Sequence, residues 1–134
     1  MSMHAAGSFQ VALVPQTLVD ESAAPLLGRM TINKTFVGDL EATSKGEMLM
    51  AGTTVKGSAG YVAIERVTGT LGGRLGSFVL QHAGSMNRGV PQLSVTVVPD
   101  SGTDELLGLS GTLAIIIEEG KHYYEFAYAF AEQP

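Results

Sequence analysis

Short runs of Val, Ile, Thr, Phe and Tyr recur along the whole chain, each bounded by clusters of Gly, Pro, Asp and Ser. That pattern reads as strand, turn, strand. No segment of ten or more residues repeats its apolar positions at helical spacing. Eight strands are predicted, at Ala6–Val14, Arg29–Val37, Asp39–Met50, Gly60–Thr70, Arg74–Ala83, Gln92–Val98, Gly111–Glu118 and Lys121–Phe130. One stretch departs from the pattern. In TDELLG, Thr103 suits an N-cap, Asp104 and Glu105 suit a first turn and Gly108 stops it, so a single helical turn is expected at a corner. Successive strands joined by tight turns form a meander, and a meander of eight tends to close because closure removes exposed edges. The expected fold is therefore all-β, a closed eight-stranded antiparallel meander barrel, in one domain over residues 1–134. A barrel of eight strands is filled by its own side chains or holds one small ligand.

Turn residues set the register of three hairpins. In IIIEEGKHYY a Glu119-Gly120 turn puts Glu118 opposite Lys121. Alternation then gathers Leu113, Ile115, Ile117, Tyr124, Phe126, Tyr128 and Phe130 on one apolar, aromatic face, and leaves Thr112, Ala114, Ala127 and Ala129, with Tyr123 and Glu125, on the other. In INKTFVGDLEATS a Val37-Gly38 turn sets Phe36 opposite Asp39 and Lys34 opposite Glu41. In IERVTGTLGGRLGSFVLQH, a Gly72-Gly73 turn pairs Leu71 with Arg74, Ala63 with His82, Glu65 with Leu80 and Val67 with Phe78. One face then carries Tyr61, Ala63, Glu65, Val67, Phe78, Leu80 and His82; the other carries Arg66, Thr68, Ser77 and Gln81. A turn one residue longer would set Glu65 against Gln81 instead.

Composition narrows the function classes. The chain has 134 residues, no cysteine and a formal charge of −5, so it can bury a core without disulfides and has no thiolate metal site. Its four Lys and four Arg are scattered singly, with no basic face of the kind nucleic acid requires. The longest apolar run, LAIIIEEG, falls far short of the roughly 20 residues of a membrane span. The N-terminal MSMHAAGSF has neither the basic head nor the apolar stretch of a signal peptide, and a cytoplasmic location is expected. Only 16% of residues are charged and 45% are hydrophobic, which suits a cavity lining or a subunit interface.

Candidate chemistry is sparse. TGTLGGRLG leads into a strand rather than a helix and lacks the Lys-Ser/Thr ending of a phosphate loop; its paired glycines supply the positive φ of a type I′ turn. There is no nucleophile elbow, and Ser85 and His82, three apart on a strand, point to opposite faces. His4, His82 and His122 show no ligand spacing, so neither a metal nor a cofactor is expected; His122 abuts a turn and is expected in solvent. The remaining signal is the polar trio on the apolar wall. A buried Glu65 could act as general acid or base, with His82 sharing or relaying the proton. The competing reading is a self-satisfied buried network with Arg66 or Tyr61 as partners. Pro15–Arg29, PQTLVDESAAPLLGR, is long for a hairpin connection and would cover a barrel mouth or pack as an irregular crossing.

The blocks KTFVGDLEATSKGEMLM, AIERVTGTLGGRLGSFVLQHAG and VVPDSGTDELLGLSGTLAI, in that order, resemble a bacterial family known as domain-of-unknown-function family 3224. The resemblance runs over nearly the whole chain and implies a closed eight-stranded barrel of the allene-oxide-cyclase-like type. No stretch matches the catalytic motif of plant allene oxide cyclases, so no catalytic residue is carried over. Such barrels are often oligomeric, and a homo-oligomer is expected. Three readings follow. In the first, a small apolar or amphipathic ligand sits in the barrel against Tyr61, Phe78, Tyr124, Phe126 and Tyr128, oriented by Glu65, His82 and a Lys34–Glu41 pair. In the second, the barrel is a cyclase, isomerase or hydrolase acting on a lipid-like substrate such as an epoxide, with Glu65 or Glu41 as acid or base. In the third, the protein is a structural oligomer whose barrel is filled and which acts through its oligomer surfaces.

Overall fold

The computed structural model describes residues 2–23 and 26–131. Ala24 and Pro25, within the predicted Pro15–Arg29 connection, lie outside the described residues. Eight strands run in chain order: β1 Met3–Gln16, β2 Leu27–Gly38, β3 Leu40–Gly52, β4 Ala59–Leu71, β5 Arg74–Asn87, β6 Val90–Val97, β7 Leu109–Glu118 and β8 Lys121–Phe130. Each pairs antiparallel with the next, and β1 pairs with β8, closing the barrel. No helix among the described residues is long and apolar enough to cross a membrane. The expected corner turn is a 3-10 turn, Asp104–Leu106, ended by Gly108 at φ +81°. Thr103 does not cap it; its Oγ1 accepts the Ser77 backbone N–H at 3.0 Å.

Two predicted registers match. Glu118 pairs with Lys121, and Leu71 pairs with Arg74, so Ala63 faces His82 and Glu65 faces Leu80. The third is corrected. Phe36 pairs with Ala42, not Asp39, and Lys34 pairs with Ser44, not Glu41. The cause lies at the turn. Asp39 is drawn to β1, where its carboxylate accepts the Ala6 N–H at 2.9 Å and its own N–H donates to the Ala6 carbonyl at 3.2 Å. Gly38 takes φ +109°, a left-handed conformation that glycine adopts without a Cβ penalty. The resulting slip is an odd number of residues, so it reverses the facing of the partner strand. Glu41 therefore lies exposed on the outer surface while Lys34 points inward.

The interior is filled unevenly. At the end formed by the β2–β3 and β4–β5 turns, Phe36, Leu40, Leu71, Phe78, Phe126 and Tyr128 pack into one buried cluster. Phe126 stacks on Phe78 and Tyr128 with ring centroids 5.8 and 5.2 Å away. The Tyr124 hydroxyl accepts the Leu40 N–H and donates to the Val37 carbonyl, each at 2.9 Å, tying the β2–β3 turn to β8. Strand pairing is weakest between β6 and β7, where only Thr96 and Thr112 pair. The loop after β6 compensates at this closed end. It hydrogen-bonds along the first half of β5, through Thr103 to Ser77 and Ser101 to Val79, and inserts Leu106 into the core. Gly76 permits that approach, because a Cβ there would collide with the Thr103 carbonyl.

Candidate functional site

Above the aromatic cluster, three ionisable side chains meet on the barrel axis. Lys34 comes from β2, Glu65 from β4 and His82 from β5, each in phase with the apolar inward positions of its own strand. They are 7%, 0% and 3% exposed, so all three are core residues by burial. Lys34 Nζ donates to Glu65 Oε1 at 3.2 Å and lies 3.1 Å from Oε2. His82 Nε2 lies 3.7 Å from Glu65 Oε1, within ion-pair range and too long for a direct hydrogen bond. Lys34 Nζ also lies 5.0 Å from the centroid of the Phe9 ring, within cation–π range. Gly46, opposite Glu65, leaves the carboxylate room: a Cβ there would collide with the Ile64 carbonyl and crowd the Glu65 Cα and Cβ.

Charge balance explains how this cluster is tolerated. Burial pushes the Glu65 carboxyl up, but the facing His82 and the Lys34 ammonium more than offset it, and hold it below the usual carboxylate range. Tyr61 moves the other way. Burial, reinforced by the charge of Glu65, raises its hydroxyl, so the phenol is protonated at neutral pH and can donate. Satisfaction remains incomplete. Among the described residues, Ser44 Oγ and His82 Nε2 are buried without a hydrogen-bond partner, and Glu65 Oε2 has its ion-pair contact but no aligned hydrogen bond. Unpartnered polar atoms of this kind are costly in an ordinary core and are retained where they serve something else.

One cavity adjoins the cluster, and a second lies beyond it. An inner chamber of about 200 Å³ is lined by Phe9, Val11, Ile32 and Met48, with Lys34, Tyr61, His82 and His122 as its polar groups. Beyond it, a mouth of about 590 Å³ is walled by Leu26, Leu27, Met50, Met86, Pro91 and Leu93. Tyr61 and Leu93 line both, so the two spaces adjoin at these residues. The Tyr61 ring lies over Gly84, where a Cβ would strike the ring edge. Glu65 lines neither cavity; it stands behind Lys34 and His82.

The sequence-predicted site residues therefore divide. Tyr61, Glu65, His82 and Lys34 come together. Phe78, Tyr124, Phe126 and Tyr128 belong to the packed end and line neither cavity, and Glu41 is on the outside. Arg66 points outward to Ser77 Oγ at 3.2 Å, so the partners of Glu65 are Lys34 and His82. His122, expected in solvent, is half-buried, with its ring 5.2 Å from Phe9. Its phase could have revealed it, since it stands two residues before Tyr124 on the inward face of β8. Leu26, in the β1–β2 connection, and Leu27, the first residue of β2, line the mouth. Among the described residues there is no group of three or more His, Asp or Glu placed to hold a metal.

The family described as "Protein of unknown function (DUF3224)" matches residues 5–128. The chain belongs to the DUF3224 family. A solved structure from the same family, a protein of unknown function from Shewanella oneidensis MR-1, is 52% identical. It aligns over 99% of this chain and 100% of its own, with a TM-score of 0.94. No curated protein matches the chain. The DUF3224 barrel is thus shared with a solved relative, and the reading of its interior rests on the residues described above.

Proposed function

We propose that this barrel binds one small amphipathic molecule, with its apolar body in the mouth and its polar end in the inner chamber. The observation that carries the reading is the division of the interior: one end packed solid, the other holding adjoining cavities whose walls are apolar and whose floor is polar. The mouth lies within the roughly 300–1,000 Å³ of small-molecule sites, which are apolar with a few placed polar groups. A barrel that acted only through its outer surface would gain nothing from a buried, incompletely satisfied Lys–Glu–His cluster. The test uses the uncharged fluorescent probe N-phenyl-1-naphthylamine. Saturable one-to-one binding is expected, abolished by Leu93→Trp, which fills the junction of the two cavities. Absence of binding, or binding indifferent to Leu93→Trp, overturns the reading.

One observation favours a second reading, proton-transfer catalysis on the bound molecule. His82 faces the chamber with Glu65 behind it, an imidazole positioned by a carboxylate. In that case His82 touches substrate and Glu65 positions it. Glu65→Gln would then lower turnover of a lipid-like epoxide while sparing its affinity. Equal turnover in the two proteins would remove Glu65 from the reaction.

A further inference from the structure

Resting on the ligand-binding reading above, we infer that the ligand's polar end is a carboxylate, a monoanion received by Lys34, Tyr61 and the two histidines. The chain carries 13 acidic and 8 basic residues, yet none of the described acidic side chains lines the chamber or the mouth. The polar side chains that line the chamber are Lys34, Tyr61, His82 and His122, contributed by β2, β4, β5 and β8. An ammonium donates only, a protonated phenol can donate, and an imidazole can present an N–H. The lining therefore offers donors to an acceptor, and offers a cationic ligand no counter-charge. The one carboxylate in the cluster, Glu65, is 0% exposed and shielded behind Lys34 and His82.

The same arrangement limits the ligand's charge. Lys34 is already paired with Glu65 at 3.1–3.2 Å, so the cluster has little uncompensated positive charge. A dianion such as a phosphate monoester would enter a desolvated site with too little to balance it. A carboxylate spreads one charge over two oxygens and needs only a few donors. Most side chains of the mouth lining that would hold its body are aliphatic or thioether, with Tyr61, Ser85 and Gln92 as the exceptions, which suits a hydrocarbon chain.

The test is displacement of N-phenyl-1-naphthylamine by three ten-carbon ligands, decanoate, decanol and decyltrimethylammonium, which share a tail and differ at the head. Decanoate is expected to displace the probe roughly tenfold or more better than decanol, with the cation weakest. In the double variant Lys34→Met/Glu65→Gln, which leaves no unpaired charge in the core, decanoate falls to the level of decanol while decanol is unchanged. Tyr61→Phe, which keeps the ring over Gly84 and removes one donor, lowers decanoate alone. Decanol or the cation displacing as well as decanoate would overturn the carboxylate, as would an advantage of decanoate that survives the double variant. In those cases the probe still binds and the binding reading stands. If the probe itself fails to bind, that reading falls and this inference with it.

Discussion

The two ends of this barrel are built from the same eight strands and reach opposite solutions. At the closed end, aromatic side chains from β2, β5 and β8 meet edge-on and stacked, a loop hydrogen-bonds along the first half of β5 and inserts Leu106, and none of these rings lines the chamber or the mouth. At the open end, inward positions carry Gly84, Met48, Met50 and Leu93, and the wall holds adjoining cavities. Between them lies a charged layer, Lys34, Glu65 and His82. The difference teaches that strand alternation decides only whether a residue faces inward. What fills the interior depends on residue size, layer by layer. Large rings leave no space, while glycines and flexible methionines leave a chamber at whose base a costly polar cluster persists.

The comparison can be broken most severely by truncation. Phe126→Ala at the closed end should cost about 3–5 kcal/mol, whereas Leu93→Ala at the partly exposed mouth should cost under about 1.5 kcal/mol. Urea denaturation of both variants measures the contrast, and equal losses would refute an unevenly filled interior. The charged layer is expected to behave as a unit. Glu65→Leu alone strands a buried ammonium and should cost about 3–5 kcal/mol, while Lys34→Met/Glu65→Leu should recover most or all of that loss. If the double variant is as unstable as the single one, the pair is not the source of the cost.

A smaller effect sharpens the closed end. Tyr124→Phe keeps the ring and removes the hydroxyl that ties Val37 and Leu40 to β8, for a loss of about 1–3 kcal/mol. An unchanged melting temperature would mean that the hydroxyl is dispensable to the turn. The smallest effect is acid sensitivity of the middle layer. Glu65 titrates below its ordinary value of 4.5 in the folded state, so its stabilisation is complete above about pH 4.5. That contribution is lost as pH falls below this value and through the lowered one. Lys34→Met/Glu65→Gln should therefore lose less stability between pH 5 and pH 3 than the parent. Parallel losses in the two proteins would show that Glu65 does not contribute to acid denaturation.

Much of the fold was legible because its signals are local. Paired glycines at Gly72-Gly73 and the Glu119-Gly120 turn set two registers, and with them the shared wall of Tyr61, Glu65 and His82. The β2–β3 register was not legible, because a contact with β1 decides it: the Asp39 carboxylate binds the Ala6 N–H, 33 residues away, and lengthens the turn. The contact between Asp39 and Ala6 thus removed Glu41 from the face it was expected to share with Lys34. Membership of the aromatic wall was also readable, but its role was not. Tyr124, Phe126 and Tyr128 are as inward as His122, and only depth along the barrel separates packing residues from cavity lining.

The sequence by itself determined eight strands, their order and which side chains share a face on most of them, since a period of two and the turn chemistry act within a few residues. Only the tertiary structure decided that Lys34, Glu65 and His82 form one cluster. Their partnership spans β2, β4 and β5, and it depends on how barrel closure aligns strands that are not neighbours in the chain. Closure likewise decided which end is filled and which is open, because cavity volume is a property of all the inward side chains taken together.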